Sequence, residues 1–235
     1  MLPAIDEGTV RVLVETLRLS RDGNRVQITD VASSARVTES FARKVLTDAL
    51  IEAGKDWISL RPGFRVRLGL EVARAGRLED SARALTWQEF EKFAEECLGE
   101  AGFQTEKNVR VKGDGRNWQI DVVGVRGHLV LTVDCKHWNN PSYLSKLKRA
   151  AKHQRTATMH LLSRQVEKTL QGDKERQALP VVLTLSEPPA RMSEGAVLIS
   201  VEKFPSFLSG VAPYDENLPF ISSPLVVENP MSQSK

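Results

Sequence analysis

The strongest constraint on the fold lies in residues 119–138, which read QIDVVGVRGHLVLTVDCKHW and predict two neighbouring β-strands. The first apolar run carries one acidic residue, Asp121, and a turn around Gly127 separates it from the second run. The second run ends in Asp134-Cys135-Lys136, and residues two apart in a strand point to the same side. Asp134 and Lys136 therefore share a face, and pairing of the two strands as a hairpin brings Asp121 close to both.

Two carboxylates and one ammonium group on rigid strands are typical of metal-assisted phosphodiester cleavage. Carboxylate oxygens are the ligands that hard divalent cations prefer. The cation and the lysine then polarise an attacking water and stabilise the negative charge of the transition state. The pattern therefore favours a hydrolase that acts on a phosphodiester.

The order of a glutamate, then an aspartate, then Asp-x-Lys resembles the PD-(D/E)xK nuclease superfamily. The similarity is greatest to archaeal Holliday-junction resolvases and Mrr-type restriction endonucleases, and it covers roughly residues 85–211. In that family a glutamate on the first helix completes the site, and here the pair Phe90-Glu91 precedes Gly102-Phe103 at the family's usual spacing.

The resemblance implies four catalytic residues, which are Glu91, Asp121, Asp134 and Lys136. It also implies that one or two Mg²⁺ or Mn²⁺ ions are held by Glu91, Asp121, Asp134 and the main-chain carbonyl of Cys135. Glu95 lies one helical turn from Glu91, so which of the two completes the site stays open. An exposed acidic face of the helix is the alternative interpretation of both glutamates.

The implied fold is α/β, with a restriction-endonuclease-like mixed β-sheet flanked by helices. The apolar patterns over residues 85–211 predict the order helix, three strands, helix, two strands, helix. Residues 165–177 are polar and interrupt this core. Residues 212–235 contain several prolines and serines, and we expect a flexible tail there.

The first seventy residues predict a separate small domain with three helices followed by a β-hairpin. That order is typical of a winged helix-turn-helix, with residues 38–53 as the recognition helix and residues 61–67 as the wing. Small three-helix domains also bind other proteins, so this alternative stays open. Residues 71–84 predict a polar linker helix between the two domains.

Basic residues suggest where DNA binds. No acidic residue occurs between positions 135 and 166, which favours a phosphate-contacting surface directly after the predicted active site. A solvated helix face is the alternative. The predicted DNA contacts are Arg43, Lys44, Arg61, Arg65, Arg67, His137, Lys148, Lys152 and Arg155.

Composition narrows the class of protein. The chain has 235 residues and 41% hydrophobic residues, which is ordinary for a globular protein. It contains no apolar run of eighteen residues and no evident secretion signal, so we expect a cytoplasmic protein that does not bind a membrane. Cys97 and Cys135 are the two cysteines, and both are predicted to be buried free thiols.

These observations favour a metal-dependent DNA endonuclease whose N-terminal domain locates duplex or branched DNA. Because such a substrate presents two strands to cut, we expect a homodimer. Restriction, junction resolution and repair all fit the same residues. The alternative is a catalytically silent nuclease fold that serves as a DNA-binding or transcription and repair scaffold.

Overall fold

The computed structural model describes residues 6–222 except 22, 24, 50, 51, 55, 62, 139–143, 169–175 and 214. The N-terminal unit consists of α1 (Glu7–Leu19), β1 (Arg25–Gln27), α2 (Ile28–Ala35), α3 (Glu39–Asp48), β2 (Glu52–Ala53) and β3 (Trp57–Ser59). Its three strands pair antiparallel in the order β1-β3-β2. The side chain of Thr38 accepts a hydrogen bond from the Phe41 N–H and thereby fixes the start of α3.

Two helices connect this unit to the rest of the chain, α4 (Phe64–Arg74) and α5 (Leu78–Ala84). The remaining elements are α6 (Trp87–Glu100), β4 (Gln104–Gly113), β5 (Arg116–Arg126), β6 (Leu129–Lys136), α7 (Leu144–Lys168), β7 (Gln177–Thr184), β8 (Met192–Ser193), β9 (Ala196–Ser200), a 3₁₀ turn (Val201–Lys203), α8 (Phe204–Gly210) and β10 (Ile221–Ser222).

The central sheet contains seven strands in the order β4-β5-β6-β7-β9-β8, with β10 paired to β7. The pairs β6–β7 and β7–β9 are parallel, and the other pairs are antiparallel. Every residue of β7 is buried, as expected for a strand covered on both faces. The predicted mixed α/β sheet with flanking helices is therefore confirmed.

The prediction that residues 61–67 form the wing of a β-hairpin is wrong. Phe64, Val66 and Leu68 alternate as in a strand, but this segment begins α4. The helix buries Arg65, Leu68, Gly69 and Val72, which recur at the spacing of one helical face. The hairpin of the N-terminal unit lies earlier, between β2 and β3, and α3 ends at Asp48 rather than at residue 53.

The segment predicted to be a polar linker packs into the molecule. The predicted boundary at residue 70 falls inside α4, and Val72, Leu78 and Ala82 are buried. Small residues permit this packing, because a Cβ at Gly69 would lie 3.0 Å from Ser81 Oγ. The link between the two parts of the chain is therefore compact.

Residues 212–222 of the predicted flexible tail, except 214, lie within the described residues, and the flexibility of the tail stays a prediction. Ile221 and Ser222 pair with Ala178 and Gln177 of β7, and Phe220 packs against the core. Residues 223–235 lie outside the described residues, as do residues 169–175 of the predicted polar excursion. None of the helices in the described part of the chain has the length and hydrophobicity that a membrane span requires.

Candidate active site

Asp121 lies where β5 separates from β6. The last pair of the antiparallel ladder between these strands is Val122–Val133, and Asp121 is the neighbouring residue of β5 just outside the ladder. The Asp121 carboxylate then accepts a hydrogen bond from the main-chain N–H of Cys135, with a distance of 2.8 Å between Oδ2 and N. This bond holds the first predicted carboxylate against the strand that carries Asp134 and Lys136.

Asp134 and Lys136 form an ion pair on β6, with 2.7 Å between Oδ1 and Nζ. Asp134 is only 5% exposed, and its second oxygen, Oδ2, is buried without a hydrogen-bond partner. Between them, Cys135 packs against the apolar core on the other side of the strand. The predicted alternation of these three residues is therefore present in the structure, and the ligand role of the Cys135 carbonyl stays a prediction.

Glu91 comes to the site from α6. The start of this helix is fixed by a capping box, in which Thr86 and Glu89 exchange hydrogen bonds between side chain and main chain. Phe90 and Phe93 are fully buried, and they anchor the helix so that Glu91 is 7% exposed. Burial, together with the charge of Asp121, raises the pKa of Glu91 to about 7.

Glu95, the alternative glutamate, has other partners. It forms an ion pair with Lys92 at 2.8 Å and lies 3.6 Å from the Lys107 ammonium. The charges of Asp121 and Asp134 both raise the pKa of Glu91, and its choice over Glu95 as the residue that completes the site stays a prediction.

The charges of the site are unbalanced. Burial raises the pKa of Asp134, and burial and the charge of Asp134 raise the pKa of Asp121. Burial alone would lower the pKa of Lys136, but the neighbouring Asp134 and Asp121 raise it above its ordinary value. Three carboxyl groups against one ammonium leave an excess of negative charge when all are ionised.

One feature of this donor set suits a divalent cation. Within the described residues, no three His, Cys, Asp or Glu side chains form a group that could hold a metal ion as they stand. Asp121 and Asp134 each use one oxygen on a protein partner. Asp134 Oδ2 is nevertheless a buried oxygen without a partner, and hard cations take such ligands. A cation there would also compensate the excess negative charge.

Helix α7 adds polar groups beyond the four predicted catalytic residues. Gln154 is completely buried, and neither its Nε2 nor its Oε1 has a partner. The adjacent His153 lies against the Trp118 ring, with 5.0 Å between ring centroids. Burial and the charge of Lys136 lower the pKa of His153, which shows that this ring lies near the site. The resemblance to related nucleases was the signal that pointed to Gln154, and its orientation toward the metal site stays a prediction.

Six of the nine predicted DNA contacts are exposed, and the other three have partners within the protein. Lys148, Lys152 and Arg155 are exposed on α7, and Lys44, Arg61 and Arg67 are exposed in the N-terminal part of the chain. Three further residues serve within the protein. Arg43 donates a hydrogen bond to the Gly54 carbonyl at 2.8 Å, which braces α3 against the hairpin.

Arg65 is not placed to contact DNA. It is 6% exposed and bonds to groups inside the protein, which contradicts its predicted role. His137 Nε2 lies 3.0 Å from the Ala82 carbonyl, and its ring packs edge-on against Phe90. The DNA contact of His137 stays a prediction.

Comparison with known proteins supports the assignment of the core. Residues 82–168 match the Mrr catalytic family, which is described as restriction endonuclease. This match suggests nuclease activity, and the matched segment contains Glu91, Asp121, Asp134 and Lys136. A search of curated proteins found no match.

Two solved structures are similar to parts of the chain. One is a protein of unknown function, AF1548, with 26% identity over 44% of this chain and 50% of that chain, at a TM-score of 0.31. The other is protein VC1899 from Vibrio cholerae, with 14% identity over 88% of this chain and 51% of that chain, at a TM-score of 0.42. The chain thus spans about half the length of each.

Proposed function

We propose that this chain, whose residues 82–168 match a restriction endonuclease family, is a Mg²⁺- or Mn²⁺-dependent DNA endonuclease. The observation that carries the proposal is the meeting of Asp121, Asp134 and Lys136 where β5 separates from β6, with Glu91 close enough to respond to both aspartates. Burial lowers the local dielectric constant and so strengthens the electrostatic interactions among these groups.

The residues have distinct roles in this proposal. Glu91, Asp121 and Asp134, with the main-chain carbonyl of Cys135, would hold the cation, which supplies a Lewis acid and an activated water. Lys136 stays protonated because the aspartates raise its pKa. The role proposed for its ammonium is to stabilise negative charge on the phosphate.

DNA binding is proposed for two surfaces. The N-terminal unit has the element order helix, strand, helix, helix, strand, strand, and this order supports the proposal of a winged helix with α3 as the recognition helix. Lys44 is exposed on α3. The second surface is α7, where Lys148 and Lys152 are exposed on the same helix as His153, whose pKa responds to Lys136.

The first test is cleavage of a supercoiled plasmid, a linear duplex and a four-way junction with Mg²⁺ or Mn²⁺. Wild type is compared with Lys136→Ala and with Lys203→Ala, an exposed lysine paired to Glu187 as a matched control. We expect wild type and Lys203→Ala to cut and Lys136→Ala to be inactive. Equal cutting by Lys136→Ala would show that the site assignment is wrong, and the preferred substrate separates restriction from junction resolution or repair.

A catalytically silent scaffold is the second candidate, because the described residues contain no preformed group of three metal-binding side chains. Calorimetric titration with Mn²⁺ distinguishes the two candidates. Binding that is lost in Asp121→Ala supports the enzyme, whereas no binding together with retained DNA affinity supports the scaffold. Sedimentation in the presence of duplex tests the homodimer that two-strand cleavage implies.

A further inference from the structure

Arg65 of α4 connects the N-terminal unit to the catalytic part of the chain. Its guanidinium donates hydrogen bonds to the Leu17 carbonyl at 2.6 Å and to the Ser20 hydroxyl, both at the end of α1. The same group donates to the Ala84 carbonyl at the end of α5, at 2.8 Å. A guanidinium suits this position because its five donors form a rigid planar fork.

The fourth partner of Arg65 lies on the catalytic helix. Arg65 Nε donates to Glu89 Oε1 at 2.8 Å, and the other oxygen of Glu89 accepts from the Thr86 N–H at 2.8 Å. Glu89 thus caps α6, and Glu91 follows two residues later in the same first turns. One buried cation therefore bonds to the end of α1, the end of α5 and the start of α6.

The apolar core runs through the same region without interruption. Buried residues of the N-terminal unit, such as Leu17, belong to one cluster with Leu85, Phe90 and Phe93 and with Val133 of the central sheet. On the surface, Arg77 adds an ion pair to Glu7 of α1 at 3.2 Å. Burial of this kind resists relative motion, because opening it would expose apolar surface and leave a buried charge unpaired.

We propose that Arg65 is a positioning residue, which locks the N-terminal unit against α6 and so fixes the distance between bound DNA and the cutting site. The proposal rests on the nuclease and DNA-binding functions proposed above. A duplex held by α3 then reaches Glu91, Asp121 and Asp134 only at one set of phosphates. Cleavage occurs at a fixed offset from the bound position, and Arg65 determines how sharply that offset is defined.

The mechanical part of the proposal is tested without DNA. Spin labels are attached at two exposed positions, Asp48→Cys on α3 and Ser163→Cys on α7, and the distance distribution is measured. Burial raises the pKa of Cys97 to about 12 and that of Cys135 well above its ordinary value, which slows their labelling. A sample without the two added cysteines measures any labelling of these native thiols. We expect one narrow distance in wild type and a distribution about twofold broader in Arg65→Met.

The matched control is Arg74→Met. Arg74 lies on the same helix and also pairs with α6, through Glu100, but its side chain is 53% exposed. Exposed ion pairs contribute little, so the distance distribution of this variant should stay narrow. Should Arg65→Met fail to fold, Arg65→Lys carries the same measurement, since it keeps the charge but makes fewer of the bonds. An unchanged width in a folded Arg65 variant would overturn the proposal.

The functional part is tested by mapping cut positions on an end-labelled duplex relative to the protected footprint. We expect a narrow group of cuts for wild type and Arg74→Met, and cuts spread over several more phosphates for Arg65→Lys and Arg65→Met. Simple loss of stability would lower the yield without moving the cuts, so an unchanged pattern also overturns the proposal. If wild type cuts no DNA, the nuclease proposal fails, while the distance measurement still decides whether Arg65 locks the two parts.

Discussion

The Glu91 carboxyl group is buried near the carboxylates of Asp121 and Asp134. Its pKa of about 7 lies above the ordinary value of 4.5, mainly because of burial and the charge of Asp121. For a carboxyl group with a raised pKa, the contribution to stability is fully present below the ordinary value and is lost as the pH rises through the folded value. We therefore expect the contribution of Glu91 to the free energy of unfolding of the metal-free protein to fall between about pH 4.5 and about pH 7.

Chemical denaturation in the presence of a chelator measures this effect. The variant Glu91→Gln has no charge to lose at this position, so it should gain stability relative to wild type as the pH rises over the same interval. A constant difference between the two proteins across the interval would show that Glu91 titrates normally.

Gln154 is a second residue whose surroundings oppose stability. Its amide is completely buried with neither end bonded, and such a group costs about 1–3 kcal/mol. Gln154→Met, which is similar in size and apolar, should therefore raise the melting temperature. If the amide faces the substrate, the same change should lower the cleavage rate by about tenfold or more.

A buried threonine one turn further along α7 provides the control for Gln154. The Thr158 hydroxyl shares a hydrogen bond of 2.6 Å with the Thr132 hydroxyl and donates to the main-chain carbonyl of Gln154 at 2.7 Å. The hydroxyl of Thr158 therefore has hydrogen-bond partners, unlike the side-chain amide of Gln154. Thr158→Val should lower the melting temperature, because Thr132 then loses its partner. A drop of similar size in Gln154→Met would mean that the amide has a stabilising partner after all.

At the residue scale, spacing predicts the charged centre but not its surroundings. Asp134 and Lys136 share a face because strands have a period of two, and the structure shows them bonded to each other. The burial of Gln154 and of Arg65 could not be predicted from the spacing of residues in the sequence. Both are polar residues that normally face water, and what places them inside is tertiary packing against elements distant in the sequence.

At the element scale, two helical glycines make a matched pair. Gly99 lies near the end of α6 with open space where a Cβ would be, so Gly99→Ala should stabilise the protein by about 0.5–1 kcal/mol through helix propensity. Gly69 lies against Ser81, whose hydroxyl donates to the Gly69 carbonyl at 2.6 Å.

A methyl group at Gly69 would come within 3.0 Å of Ser81 Oγ and would disturb that bond. Gly69→Ala should therefore destabilise the protein by about 1 kcal/mol, despite the same gain in helix propensity. Urea denaturation of both variants measures the difference. Equal stabilisation by the two changes would mean that α4 and α5 can move apart at Gly69 and Ser81 without a loss in the free energy of unfolding.

The long elements of the central sheet follow from apolar patterns, whereas α4 does not. Alternate apolar residues at Phe64, Val66 and Leu68 predict a strand, and the same residues lie in a helix. Short apolar runs satisfy both periods, and the choice is made by which face is buried. In α4 the buried face includes an arginine, so no hydrophobicity pattern could have identified it.

At the scale of the whole molecule, the continuous core predicts cooperative unfolding. Residues of α1 to α6, of four strands of the central sheet and of α8 belong to one buried cluster, whereas α7 packs in two smaller clusters. Arg65 bonds across the junction between the N-terminal unit and α6. We expect a single calorimetric transition whose van't Hoff and calorimetric enthalpies agree. Two separable transitions would show that the N-terminal unit and the sheet unfold independently.

The continuous core also means that the matched family segment is not a unit that can stand alone. The match begins at residue 82. The buried cluster that contains Phe90 and Phe93 also contains residues that precede this point, namely Leu60, Val66, Leu68 and Val72. A fragment that begins at residue 82 would leave this side of α6 in water. Contiguous apolar surface of that kind promotes self-association, so such a truncated chain would aggregate during expression.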